Sequence, residues 1–161
     1  MGDILSIGVA TLRLGMSRDA ALSELGTYYS LRRVPESVEQ NDYWLIFDKL
    51  RSDESLGEIH FLTGKLTWAS KDWTHENKQY SGSDAAEIIY RLFSKLEAEG
   101  NTNCVVKTSA SRQSPGPGHL EFRETRIICG HRQVEIILSW QSGVAYLQVN
   151  EVVSTEPLYL P

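Results

Sequence analysis

Polar and apolar residues alternate on both sides of Thr63–Gly64, a pattern typical of two strands joined by a tight turn. A two-residue loop fixes which residues lie opposite each other, so the face that each side chain occupies can be predicted. The expected pairs are Leu62 with Lys65, Phe61 with Leu66, and Ile59 with Trp68. The large apolar residues then share one face beneath helices, and polar residues share the other.

Two helices are predicted by capping residues and by apolar spacing. Ser17 is a suitable N-cap for a helix over residues 18–25, and Gly26 is suited to end it in the left-handed conformation. A second helix is expected to begin at Asp84 and to end at Gly100. Its apolar residues recur with helical spacing, which is typical of a core-facing stripe rather than a cofactor groove. The stripe consists of Ala85, Ile88, Ile89, Leu92, Phe93 and Leu96.

Residues 3–13 permit two interpretations. Ile4, Leu5, Val9 and Leu12 fit one face of a helix. The β-branched content of the segment and Gly8 weaken that assignment. The choice between helix and strand stays open at this point.

The second half predicts four strands, near residues 104–110, 120–129, 133–140 and 144–152. Turns at Gly130–His131 and Ser142–Gly143 place apolar residues opposite apolar residues. The expected pairs are Ile127 with Val134, Arg126 with Glu135, Trp140 with Ala145, Leu138 with Leu147, and Ile136 with Val149. The residues Ile136, Leu138, Leu147 and Val149 are therefore expected to be buried beneath helices.

Together these elements predict an α+β fold of two tandem halves, residues 1–80 and 81–161. Each half is expected to pack a helix or helices on a four-stranded antiparallel sheet, and the halves are expected to pack as one unit. Strands between residues 28–34 and 43–50 complete the first sheet.

Composition narrows the function classes. The 161 residues carry a formal net charge of -5 and no basic run, which argues against a nucleic-acid partner. No apolar stretch approaches the roughly 20 residues that cross a bilayer, so a soluble chain without a transmembrane segment is expected. The start at Met1–Gly2–Asp3 lacks the residue series of a signal peptide.

Residues 3–73 resemble the SmpA/OmlA family, the small bacterial outer-membrane lipoproteins of the β-barrel assembly machinery. They also resemble the β-lactamase inhibitory proteins, which share this module. The matching residues are Leu14-Gly15-Met16-Ser17, Leu25-Gly26, Trp44, Phe61 and Gly64-Lys65-Leu66. The resemblance implies a helical pair on an antiparallel sheet and, in the inhibitory proteins, two such halves forming one long curved sheet that grips a partner. It favours an extracytoplasmic location, with a cytoplasmic one left open.

Cys104 and Cys129 are the only cysteines, and a hairpin centred on Gly116–Pro117 would place them opposite each other on adjacent strands. In an oxidising compartment they should form a disulfide, whereas in a reducing one they would be two buried thiols. A zinc site that adds His119 and His131 lacks the paired spacing of such sites. We therefore expect neither a metal nor a cofactor.

Asp72 and His75 lie close together at a strand end and invite an acid/base interpretation. A polar mixture of this kind is more often a solvated loop. A small enzyme or small-ligand-binding protein, with a site near Asp72, His75 and His119, is nevertheless kept as the alternative hypothesis.

Aromatic residues support the leading hypothesis, a non-catalytic protein-binding or inhibitor-like module. Tyr43 and Trp44 are consecutive in a strand, so both cannot be buried, and the hairpin registers place His60 and Tyr146 away from the helices. Aromatic side chains on an open sheet face are typical of protein-recognition surfaces, although they can also be scattered surface residues without a partner. We expect Tyr43, Trp44, His60 and Tyr146 to bind a protein or peptide.

Overall fold

One eight-stranded antiparallel sheet dominates the fold. A computed structural model describes residues 4–35, 37, 41–51, 53, 55–74, 82–100, 104–113, 120–141 and 144–156. The elements in these ranges are β1 (Ile4–Ile7), β2 (Ala10–Arg13), α1 (Arg18–Tyr28), β3 (Tyr29–Arg33), β4 (Asn41–Asp48), β5 (Ser55–Leu62), β6 (Lys65–Asp72), α2 (Gly82–Ala98), β7 (Val105–Gln113), β8 (Leu120–Cys129), β9 (Arg132–Gln141) and β10 (Val144–Ser154). The strand order is β3-β4-β5-β6-β10-β9-β8-β7, and β1 and β2 form a separate two-stranded sheet.

The predicted α+β fold of two helix-on-sheet halves is wrong. The described residues are mostly in strands, and β3 to β10, which come from both halves, belong to one continuous sheet because β6 pairs with β10. The register runs from Asn150 opposite Asp72 to Ser154 opposite Trp68. This pairing joins residues about 80 positions apart, which hairpin rules do not address, because those rules connect only neighbouring strands.

Residues 4–13 form a hairpin, not the first helix of a pair. Leu5, Ile7, Ala10 and Leu12 alternate with exposed residues and are buried against α1 and the large sheet. Val9, which the helical interpretation placed on the apolar face, lies exposed at the turn. Gly8 has φ +55° and lies so close to the Tyr29 hydroxyl that a Cβ would collide with it.

Helix α1 begins where the sequence predicts, since the Ser17 hydroxyl accepts a hydrogen bond from the Ala20 amide at 3.3 Å. Its predicted end at Gly26 is wrong, because the helix continues to Tyr28. The Tyr29 amide still bonds to the Leu25 carbonyl, and the chain passes directly into β3 without a left-handed residue. In α2, Leu92 and Leu96 are buried as predicted, but Phe93 is 42% exposed.

Most of the predicted strand registers are confirmed. The β8–β9 and β9–β10 pairs match all five predicted pairs, and Phe61 lies opposite Leu66 as expected. Phe61 and Val149 are buried, whereas Ile136, Leu138 and Leu147 are only half-buried. The side chain of Trp140 lies outside the described set.

One predicted pair, Ile59 with Trp68, is wrong because β6 contains a bulge. Thr67 is the extra residue, so Ile59 lies opposite Ala69 and His60 lies opposite Trp68. The Thr67 carbonyl accepts a hydrogen bond from the Thr155 amide at 2.8 Å, outside the β5–β6 ladder. An inserted residue reverses the alternation of side chains, so Trp68 moves to the face opposite Phe61.

The two faces of the large sheet differ in what covers them. We call the face that carries Ile59 and Val149 the covered face, because both helices and the β1–β2 hairpin pack on it. We call the face that carries His60 and Trp68 the open face. Within the described part of the chain, the buried residues of α1 and α2 contact only the covered face.

A buried ion pair lies on the covered face near the β6–β10 junction. Arg132 of β9 and Glu151 of β10 are both almost fully buried, and the Arg132 Nη1 binds Glu151 Oε1. The Lys95 ammonium lies 2.7 Å from the same oxygen, and the Trp73 indole donates to Glu151 Oε2 at 3.0 Å. The carboxylate of Glu151 therefore holds together α2, β9 and the end of β6.

The same arginine reaches the N-terminal hairpin. Its Nη2 donates to the Ile4 carbonyl at 2.6 Å, and its Nε lies 3.0 Å from Glu99 Oε2. A buried guanidinium needs partners for its donors, and here Nη1 and Nη2 connect β10 and β1, from opposite ends of the chain. The Nε atom lies near the Glu99 carboxylate but makes no hydrogen bond of good geometry.

Truncation of Phe61 tests the position of the hydrophobic core that Phe61 shares with Leu5 and Leu66. Phe61→Ala removes a fully buried aromatic ring and should lower the free energy of unfolding by about 3–5 kcal/mol. Leu62→Ala, next to it on the opposite face and half exposed, is the matched control and should change stability by less than about 1 kcal/mol. Equal losses in urea denaturation would contradict the assigned faces.

The buried ion pair should show strong coupling. Glu151→Leu leaves Arg132 with only the nearby Glu99 carboxylate, and Arg132→Met leaves Glu151 with only the Lys95 ammonium. Each single variant should therefore lower the free energy of unfolding by about 3 kcal/mol. The double variant replaces both charges with apolar groups and should be more stable than either single variant. Chemical denaturation of all four proteins measures the coupling energy, and additive losses would show that the pair is not coupled.

Candidate functional site

Three rings lie in contact on the open face. Tyr43, His60 and Trp68 occupy neighbouring positions on β4, β5 and β6, because Tyr43 lies opposite His60 and His60 lies opposite Trp68. The Tyr43 and His60 centroids are 4.2 Å apart in an edge-to-face arrangement, and those of His60 and Trp68 are 4.3 Å apart and stacked. We call these residues the ring cluster. All three are half-buried, so each keeps a surface for contact while its neighbours restrict its movement.

A depression of about 250 Å³ borders the ring cluster on the same face. Its lining comes from five adjacent strands, β4, β5, β6, β10 and β9. The lining residues are Leu45, Ser55, Gly57, Glu58, Trp68, Ser70, Asp72, Glu135, Gln148, Asn150 and Val152. The depression is therefore centred on the β6–β10 pair that joins the two groups of strands.

Three carboxylates line this depression, those of Glu58, Asp72 and Glu135. Glu58 lies 3.7 Å from His60, and Glu135 lies 3.9 Å from Arg126 and accepts a 3.5 Å hydrogen bond from Asn150. Asp72 accepts hydrogen bonds from the Thr74 amide, at 2.8 Å, and from the Thr74 hydroxyl. Among the described residues, no lysine or arginine lines the depression.

Trp44 does not lie on this surface, and its predicted role in partner binding stays a prediction. It lies on the covered face, where it packs against the hydrophobic core that contains Phe61. The Arg18 guanidinium lies 5.4 Å from the centroid of its ring. Its indole donates to Asp42 Oδ2 at 2.8 Å. The sequence showed that Tyr43 and Trp44 point apart, and the structure identifies Tyr43 as the open-face residue.

Tyr146 lies on the open face as predicted, and it is 54% exposed. It is nevertheless distant from the ring cluster, since it is eight residues along β10 from Ser154, which lies opposite Trp68. At roughly 3.3 Å per residue, this separation is about 25 Å along the strand. Of the four predicted binding residues, only Tyr43 and His60 lie next to each other.

Trp68 is the functional candidate that sequence reasoning assigned to the core. The alternation of β6 gave no sign of the bulge at Thr67, because the local sequence Lys65-Leu66-Thr67-Trp68-Ala69 also fits a regular strand. Only the pairing partners of β6 show that Thr67 is the extra residue.

The remaining predicted site residues divide between described and undescribed parts of the chain. Cys104, just before β7, and Cys129, at the end of β8, form a disulfide with Cα atoms 4.4 Å apart. His131 Nδ1 lies 2.9 Å from the Ser154 carbonyl oxygen, at a turn. His75 and His119 lie outside the described residues. Within the described ranges, no group of three His, Cys, Asp or Glu side chains could hold a metal ion.

Comparisons of the chain with protein-family models, curated proteins and solved structures found no match. In the part of the chain that the structure describes, no helix is long and apolar enough to span a membrane.

The Asp42 carboxylate accepts a hydrogen bond from the Trp44 indole and has a lowered pKa. Burial alone would raise the pKa of Asp42, but hydrogen bonds from Trp44, Arg33 and Arg18 outweigh burial and hold that pKa below its usual range. The Arg33 and Arg18 Nε atoms lie 2.5 and 2.7 Å from the carboxylate oxygens. The charged form is favoured because each partner donates to it.

This shift predicts an acid-dependent loss of stability. A lowered pKa in the folded state stabilises the fold above the unfolded-state pKa, and the contribution disappears as pH falls through the folded-state pKa. The stability gap between the wild type and Asp42→Asn should be constant above about pH 5 and should shrink below it. Urea denaturation at several pH values measures the gap.

Proposed function

We propose that this protein is a non-catalytic binding module that holds a protein partner on the open face of its sheet. The proposal is based on the ring cluster. Tyrosine and tryptophan dominate the energetics of protein interfaces, since they bury a large area and lose little conformational freedom. Tyr43 and Trp68 flank His60 in mutual contact, so the cost of ordering them on binding is small.

The position of the ring cluster also supports this function. It sits on sheet strands rather than on loops, and the helices pack on the covered face, so each of the three rings stays partly exposed. The adjacent depression is smaller than the roughly 300–1,000 Å³ typical of small-molecule sites. A broad face with a shallow depression suits a protein surface better than an enclosed substrate.

The disulfide supports an extracytoplasmic location for this module. Disulfides persist in oxidising compartments and are rare in the reducing cytosol. Cys104 precedes the edge strand β7, and the bond ties this strand to Cys129 at the end of β8. The resemblance of residues 3–73 to outer-membrane lipoproteins and inhibitory proteins favours the same location. The alternative hypothesis, a site near Asp72, His75 and His119, stays a prediction.

Site-specific photo-crosslinking in the native host tests the proposal. Benzoylphenylalanine introduced at Tyr43 or at Gln148 places the reactive group on the open face, and the same group at Tyr90 places it on the exposed side of α2. Both open-face positions should yield an adduct with the same protein, and Tyr90 should not. With that protein purified, Tyr43→Ala or His60→Ala should weaken binding about tenfold or more at unchanged thermal stability.

Two results would contradict the proposal. One is crosslinking that is absent from both open-face positions or equally strong at Tyr90. The other is an adduct partner whose affinity is indifferent to Tyr43→Ala and His60→Ala. Tyr146→Ala measures how far the interface extends, because this residue lies about 25 Å along the sheet from the ring cluster.

A further inference from the structure

We infer that His60 makes the ring cluster sensitive to pH, so that protonation of His60 strengthens the binding of the protein partner to the open face. The inference rests on the proposed function and names a regulation of the same site. It is based on the contact of His60 with two aromatic rings and on its distance from a carboxylate. Histidine is the side chain whose charge ordinarily changes between about pH 5 and 8.

Protonation gives the His60 ring two interactions that the neutral ring lacks. The ring stacks on the Trp68 indole at a centroid distance of 4.3 Å and an interplanar angle of 27°. A cation over the face of an indole, within about 6 Å of its centroid, is attracted by the ring quadrupole. The His60 Nε2 atom also lies 3.7 Å from Glu58 Oε1, so a charged His60 forms an ion pair with this carboxylate. Side chains of β5 and β6 therefore both hold the charged ring.

The other charged or titratable groups on β4 and at the start of β6 do not compete with this pair. On β4 the Tyr43 ring contacts His60, and the Tyr43 hydroxyl accepts a hydrogen bond from Asn41 Nδ2 at 2.6 Å. Lys65 begins β6 on the open face and is exposed, so water and salt weaken its repulsion of a charged His60. The carboxylate that pairs with His60 in the described structure is that of Glu58.

Two further titratable groups lie on the far side of Trp68. Asp72 is four residues along β6 from Trp68, which is about 13 Å at 3.3 Å per residue, and it accepts hydrogen bonds from Thr74. On β10, Ser154 lies opposite Trp68, and its carbonyl oxygen is 2.9 Å from His131 Nδ1. A test that uses Trp68 as the reporter must therefore distinguish the titration of His60 from that of His131.

The ion pair determines how pH affects binding. A protein that covers the ring cluster also removes water from Glu58, which lies two residues from His60 on the same face of β5. A carboxylate that loses water without a cation beside it is costly to bury. When His60 is charged, the Glu58 carboxylate is already paired, whereas a neutral His60 leaves it unpaired. The partner should therefore bind more tightly at about pH 5.5 than at about pH 8.

Nuclear magnetic resonance of the free protein tests the coupling without a partner. The ring signals of His60 and the indole N–H signal of Trp68 should follow one titration curve between about pH 8 and 5. Trp68→Phe identifies the indole signal. In His60→Gln the Trp68 signal should no longer follow this curve, whereas in the control His131→Gln it still should. A Trp68 signal that is indifferent to His60, or that follows His131 instead, would overturn the inference.

Affinity for the crosslinked partner tests the consequence for binding. The wild type should bind about fivefold more tightly at about pH 5.5 than at about pH 8. His60→Gln should lose this ratio whatever its absolute affinity, and any dependence that persists in it belongs to the partner's own groups. Glu58→Gln has no carboxylate to pair, so it should bind at about pH 8 as tightly as the wild type does at about pH 5.5. Glu97→Gln, at an exposed position on α2, should keep the wild-type ratio.

The outcomes separate this inference from the proposed function. Equal affinity at the two pH values, tighter binding at the higher one, or an unchanged ratio in His60→Gln would overturn the pH sensitivity, even if positions Tyr43 and Gln148 still crosslink one protein. A preference for acid pH that His60→Gln and Glu58→Gln both remove would support it. If the Trp68 signal followed His60 but the open face captured no protein, the ring cluster would be pH-sensitive and only the proposed function would fail.

Discussion

Backbone pairing between β6 and β10 is the constraint on which the rest of the structure depends. Five residue pairs, from Asn150 with Asp72 to Ser154 with Trp68, join strands that are about 80 residues apart in the sequence. Without them, β6 and β10 would each be an unpaired sheet edge, which is a site for wrong association. With them, the alternation of side chains continues from β3 to β7, so one face receives both helices and the other stays open.

The buried charges of Arg132 and Glu151 favour one register of the β6–β10 pair over the others. Burial of Arg132 and Glu151 costs solvation free energy that their mutual attraction repays only with good geometry. Here the geometry requires Lys95 on α2, Trp73 after β6 and the Ile4 carbonyl to arrive at the same place. A shifted register of β10 would separate Glu151 from these donors, so the network penalises the alternative pairings that apolar side chains alone would tolerate.

Local rules predicted the parts of this fold that are local in sequence. The registers around Gly130–His131 and Ser142–Gly143 follow from turn length, and the Ser17 cap follows from side-chain chemistry. The β6–β10 pairing was not predictable in this way, because no turn connects these strands. Residues 4–13 were undecidable for a different reason: a four-residue strand is too short for helical and alternating spacing to be told apart.

The candidate site shows how much can depend on one inserted residue. The alternation of side chains along a strand correctly placed His60 and Tyr146 on the open face, because no bulge interrupts the predicted registers at these two residues. The Thr67 bulge reversed this alternation for Trp68 and moved its side chain to the open face. Trp68 therefore completes the ring cluster, and its indole lines the depression. Bulges are common where a sheet must re-aim a side chain, and this one moves a large aromatic residue from the core to a surface where its contact area is available to a partner. The bulge that made the sequence-based register wrong thus supplies the third ring of the proposed binding surface.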